Sequence, residues 1–133
     1  MLEIKREENK QEAKAFLESL GITCDIEKDN VMCARENGEI LAVGALTLKN
    51  YKVFLDLAVS RGEVNENLPL VLGLMKSLLN FADLRGIKTV FGSNEALFPL
   101  YRMLRFQKEE GIEPEIYSLS LEGYFTCDSC QNQ

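Results

Sequence analysis

The sequence predicts an α/β (α+β) fold: a mixed central sheet of about six to seven strands flanked by three or four helices. Three observations predict it. Apolar residues alternate with a period of two over Leu2 to Arg6, Glu39 to Leu48 and Ile116 to Leu121, as in strands. They recur with a period near 3.6 over residues 10–20, 68–85 and 94–104, as in amphipathic helices. The order strand 53–59, loop, helix 68–85, strand 87–91 makes a parallel β-α-β crossover, placed after an antiparallel meander.

At 133 residues the chain fits one domain, assigned to residues 1–125, with a polar tail at 126–133. An apolar fraction of 46% is enough for a real core. The formal net charge is −6 and acidic and basic residues are mixed, with no basic stripe, so nucleic acid is not an expected partner. An acidic surface suits a cationic substrate such as an amine, although it more often serves solubility alone. No run of about 18 apolar residues exists, so no membrane span is expected. The first residues are charged at once, unlike a signal peptide, and a cytoplasmic location is expected.

Histidine is absent, which excludes Ser-His-Asp and Cys-His catalysis and histidine-containing metal sites. The cysteines are Cys24, Cys33, Cys127 and Cys130. Cys127 and Cys130 have C-x-x-C spacing but lie in the polar tail, without a strand–helix context. Exposed thiols are the simpler reading than a four-thiolate zinc site, and no metal is expected.

In chain order, Leu2 to Arg6 is a short first strand. Asn9 and Glu12 fit a capping box for a helix with Ala13, Phe16, Leu17 and Leu20 on one stripe, ended by Gly21. Asn37-Gly38 marks a tight hairpin between strands 31–34 and 39–48. In the second arm Ile40, Ala42, Gly44, Leu46 and Leu48 share one face, and both faces are largely apolar. Residues 49–52 turn the chain into strand 53–59. The long helix has Asn67 as its cap, Pro69 in its first turn and Gly86 at its end. Pro99 loosens the start of the last helix. Residues 107–115 form a charged loop before a closing antiparallel strand.

Asp56 stands out because strand 53–59 is otherwise apolar. A carboxylate there needs a partner or a place at a rim. It is either a general base or anchor for a cationic substrate, or an aspartate bonded to nearby backbone.

The element order resembles the GNAT acetyltransferase family over residues 2–125. Asn37-Gly38-Glu39-Ile40 with Gly44 resembles the family's hairpin, and Leu57-Ala58-Val59 the end of its fourth strand. Asn94, Leu100-Tyr101, Leu104 and Phe106 resemble the pattern N-x-x-A-x-x-L-Y-x-x-L-G-F without a gap, with Leu97 and Arg105 in place of the small residue and glycine. The resemblance implies acetyl transfer from acetyl-CoA to an amine of a small molecule or peptide by direct attack. It implies that the backbone around Leu57 and Val59 pairs with the pantetheine arm and that Asn94 lies near the cofactor. It implies that the helix start at Asn67, Leu68 and Val71 meets the pyrophosphate. Tyr101 would give a proton to the departing thiolate, with Asp56 or a water as base. Tyr101 is equally a core aromatic packing with Phe106.

One stretch departs from the family. At its Q/R-x-x-G-x-G/A loop this chain has Glu66, Pro69 and Val71: an acid, a residue without an N–H, and a branched side chain. A shifted loop using Arg61, Gly62, Asn65 and Asn67 is one alternative. The other is a GNAT-like binding or regulatory domain that has lost CoA; a homodimer is compatible with this reading.

Overall fold

The structure, a computed structural model, describes residues 2–62, 67–111 and 113–125. The expectations for Asn65, Glu66, Cys127 and Cys130 lie outside them.

Seven strands form one sheet: β1 (Leu2–Glu7), β2 (Asn30–Glu36), β3 (Glu39–Lys49), β4 (Lys52–Ser60), β5 (Thr89–Gly92), β6 (Gln107–Lys108) and β7 (Tyr117–Ser120). Their spatial order is β1-β2-β3-β4-β5-β7-β6. All neighbours are antiparallel except β4 and β5, the expected parallel pair. The helices are α1 (Gln11–Ser19), α2 (Leu68–Leu84) and α3 (Phe98–Met103). Among the described residues no helix is long and apolar enough to cross a membrane.

Each sheet face carries its own core. Val71, Leu74, Met75, Leu78, Leu79 and Ala82 of α2 pack on Ala34, Ala42, Leu46 and Leu55, and α3 extends this core. Ala13, Phe16 and Leu17 of α1 cover Val31, Cys33, Val43 and Ala45 on the other face. Gly44 lets α2 settle, because a Cβ there would lie 2.8 Å from Leu78 Cδ1.

Local chemistry changes several expected details. Arg35 pairs with Ile40 while Ala34 pairs with Ala42, so Leu41 is an extra residue in β3. This bulge reverses the side-chain alternation, and Ile40 joins Val43 and Ala45 instead of Ala42 and Leu46. Asn9 Oδ1 accepts the Gln11 N–H at 3.1 Å, but Glu12 completes no capping box, since its carboxylate takes Arg35 at 3.0 Å. A 3-10 turn (Glu95–Leu97) precedes α3, whose first turn holds Pro99. Within the expected charged loop, β6 pairs briefly with β7. Asn37 (φ 54°) and Gly38 (φ 83°) make the expected tight turn, and Asn50 (φ 49°) with Tyr51 (φ 64°) makes a second.

Cys33 is 1% exposed, and burial pushes its thiol up to about 12. Its folded state therefore holds a proton that the unfolded chain, with a thiol near 8.5, releases sooner. The stabilisation is complete below pH ~8.5 and declines as pH rises towards the folded value. Urea midpoints are expected to fall from about pH 8.5 upward, with a weaker fall for Cys33→Ala. Cysteine labelling at pH 8, mapped by mass spectrometry, should leave Cys33 unmodified and modify the exposed Cys24.

Candidate functional site

The site forms where β4 and β5 separate. The two strands pair only at Val53–Val90 and Phe54–Phe91. In β4, Leu55 and Asp56 together oppose Leu46, a second bulge. Beyond it Leu57 to Ser60 stay paired with β3, while β5 ends at Gly92. The β4 edge therefore leaves the sheet's interior just as the chain turns towards α3.

Backbone carbonyls released at such a point need donors. Tyr101 donates its hydroxyl to the Leu55 carbonyl at 2.7 Å, and Asn94 Nδ2 donates to the Asp56 carbonyl at 2.8 Å. Asn94 Oδ1 accepts the Ala96 N–H at 3.1 Å and so caps the 3-10 turn. The Asp56 carboxylate closes the network. It accepts the Ser93 N–H and the Ser93 hydroxyl, each at 2.6 Å, and its Oδ1 lies 3.1 Å from the Tyr101 hydroxyl. Lys49 Nζ stands 3.5 Å away, at the solvent side. Asp56 is thus the rim carboxylate of the two sequence readings, bonded to backbone and side chains together.

Tyr101 is fully buried, with ring centroids of Phe106 at 5.0 Å and Tyr117 at 5.7 Å. Its ring lies against the Cα of Gly92, where an added Cβ would clash with the Cζ end of the ring. Burial, and then the Asp56 charge, push its phenol far above the usual value. The hydroxyl stays protonated at any ordinary pH.

At the far end of β4, the Asn67 side chain does not cap α2 as expected. Its Nδ2 donates instead to the Arg61 carbonyl at 2.6 Å, tying the β4–α2 connection together. Val71 is buried and its N–H bonds the Asn67 carbonyl at 3.0 Å. Pro69 has no N–H to offer. Among the described residues the Leu68 and Leu70 N–H groups have no backbone partner, while both side chains pack on the α2 core. Leu57 and Val59 direct their side chains to the α1 core, which leaves their backbone as the part facing any ligand at the edge. Ser60 Oγ, at the end of β4, is buried without a hydrogen-bond partner among the described residues.

The structure therefore gathers Asp56, Asn94 and Tyr101 into one network, and sets Asn67, Leu68 and Val71 apart at the start of α2. Ser93, Gly92, Lys49 and Ser60 are additions. Gly92-Ser93 reads in sequence only as a turn, and no local signal marks it as the partner of a residue 37 positions earlier.

No family profile and no curated protein sequence matches this chain. Solved structures do. An N-acetyltransferase from Staphylococcus aureus Mu50 superposes with a TM-score of 0.72 over 92% of this chain and 99% of its own, at 15% identity. The fold is that of the GNAT acetyltransferases. An IAA acetyltransferase from Bacillus cereus superposes with a TM-score of 0.68, covering 91% of this chain and 100% of its own at 15% identity. The ribosomal-protein-S18-alanine N-acetyltransferase from Escherichia coli gives 0.66, covering 91% and 94% at 16% identity. The predicted fold class, its mixed sheet and its parallel β4–β5 pair hold.

Proposed function

We propose that residues 1–125 form an N-acetyltransferase that moves an acetyl group from acetyl-CoA to an amine by direct attack. The observation that carries this reading is the separation of β4 from β5 after Phe54 and Phe91, which leaves the β4 backbone from Leu57 to Ser60 with no strand on that side among the described residues. An extended amide-bearing arm pairs with such an edge as a missing strand would. The Ser60 hydroxyl at the end of that edge, buried without a partner among the described residues, supports the fit. The Leu68 and Leu70 N–H groups are the donors that α2 offers to a phosphate.

In this reading the amine nitrogen attacks the thioester carbonyl, the C–S bond breaks, and Tyr101 protonates the leaving thiolate. The amine's proton returns through water to Tyr101. Water is the better base, because Ser93, Tyr101 and Lys49 surround the Asp56 oxygens. Asp56 is then a positioning residue for Tyr101.

Tyr101→Phe is expected to lower kcat by about 10²-fold or more. It should also destabilise the fold by about 1 kcal/mol, since the Leu55 carbonyl loses its donor. Steady-state rates on an amine panel, with urea titrations alongside, measure both; an unchanged kcat would take Tyr101 out of the chemistry. Calorimetry with acetyl-CoA tests the first step, where micromolar affinity corresponds to about −8 kcal/mol.

A second reading is a non-catalytic binding domain. Its support is the start of α2, where Pro69 lacks a donor and the Val71 N–H is already bonded. The absence of both heat and thermal stabilisation with millimolar acetyl-CoA selects this reading.

A further inference from the structure

We infer that β1 is the docking edge for a second copy of this chain. β1 lies at one end of the sheet and pairs only with β2, whereas the strand at the other end, β6, spans just Gln107–Lys108. The outer edge of β1 therefore offers the outward-facing N–H and C=O groups of alternate residues along its six-residue length, with no strand beside them among the described residues. Its two faces are chemically distinct. Ile4 packs on the α2 core, and Arg6 lies over the Phe81 ring of α2 at 5.4 Å. Glu7 points the other way, to Arg35 and thence to Glu12 of α1. Leu2, Ile4 and Arg6 thus share the α2 face, and Glu3, Lys5 and Glu7 the α1 face.

The α2 face beside this edge is apolar and incompletely covered. Leu2 is 47% exposed and Leu84 76% exposed. Between β1 and α2 runs an open groove of about 360 Å³ lined by Ile4, Met32, Phe81 and Leu84 among others.

The charge pattern selects the occupant and the register. A closed dimer uses a two-fold axis, so an antiparallel β1–β1 pair opposes residues symmetrically about one centre, and a residue meets its own mate only at that centre. Keeping α2 on the same face in both copies requires residues of the same face to oppose one another. Centred on Glu3 or Lys5, the pair sets two like charges face to face. Centred on Ile4, it sets Ile4 against Ile4, Glu3 against Lys5 and Leu2 against Arg6, with no like-charge pair. That register carries the exposed Leu2 to the partner copy's Arg6 stem and towards the Phe81 ring beneath it. Turning one copy over would oppose Ile4 to Lys5 and Leu2 to Glu7, and would split the apolar seam. Glu3 and Lys5, ion-paired to each other within the strand at 2.6 Å, form a pattern that a two-fold axis makes self-complementary, and this self-complementarity selects a second copy as the partner.

Sedimentation equilibrium of the full chain, from micromolar to several hundred micromolar, is the test. The wild type is expected to form a concentration-dependent dimer. Lys5→Glu alone, or Glu3→Lys alone, puts like charges together twice across the axis and is expected to weaken the dimer about tenfold or more. An equimolar mixture of the two single variants restores both opposite-charge contacts and should dimerise as the wild type does. That recovery also shows that each variant is folded. A wild type that stays monomeric throughout, single variants that dimerise unchanged, or a mixture that fails to recover would each overturn the proposal.

Discussion

Gly92→Ala is expected to destabilise the protein by about 3 kcal/mol, at the upper end for overpacking a core. The added methyl would occupy the space of the Tyr101 ring, which is held from behind by Phe106, Tyr117 and Phe98 and cannot retreat. Its hydroxyl is anchored as well, on the Leu55 carbonyl. Relief must come from β5 or α3 moving, and either movement breaks the Asp56 network. The companion variant Gly92→Ala/Tyr101→Leu should lose less than the sum of its parts, because a smaller side chain frees the space that the methyl needs. Urea midpoints of the wild type, the two single variants and the double variant measure this coupling. A Gly92→Ala protein within about 0.5 kcal/mol of wild type would mean that the ring is not seated on that backbone, since surface-like positions show changes of that size.

Asp56→Ala is the second large effect, again about 3 kcal/mol. It leaves the Ser93 N–H and hydroxyl without their acceptor, and removes the negative partner of Lys49. Bonds to a charged acceptor are the stronger kind, about 1.5–3 kcal/mol each, although losses within one network do not add. Asp56→Asn keeps the shape and one acceptor oxygen and is expected to lose about half as much. If the enzyme reading holds, kcat should fall with the same order, because Tyr101 loses its positioning. Equal stability of all three proteins would contradict the network, and equal kcat with reduced stability would confine Asp56 to structure.

Much of the architecture was legible in the sequence because it follows from periodicity. The α2 stripe from Val71 to Ala82 is set by 3.6-residue spacing, and the Asn37-Gly38 turn by its need for positive φ. The parallel crossover follows from element order alone. Failures occurred where one residue changes the phase. Leu41 bulges out of β3 and moves Ile40 to the other face, and no composition rule announces a bulge. Caps failed for a related reason: Glu12 and Asn67 have the residue types for capping, but Arg35 and the Arg61 carbonyl compete for them from distant parts of the chain.

The candidate site divides along the same line. The sequence by itself determined that Asp56 sits in an apolar strand and needs partners, that Asn94 opens a helical turn, and that Tyr101 lies on the apolar stripe of the segment that follows. The tertiary structure alone decided that these residues meet. A strand separation after Phe54 and Phe91 frees two carbonyls, and Tyr101 and Asn94 are the donors that reach them. Satisfying buried backbone groups is a three-dimensional condition, set by which strands part and where, so no local pattern in the chain can state it.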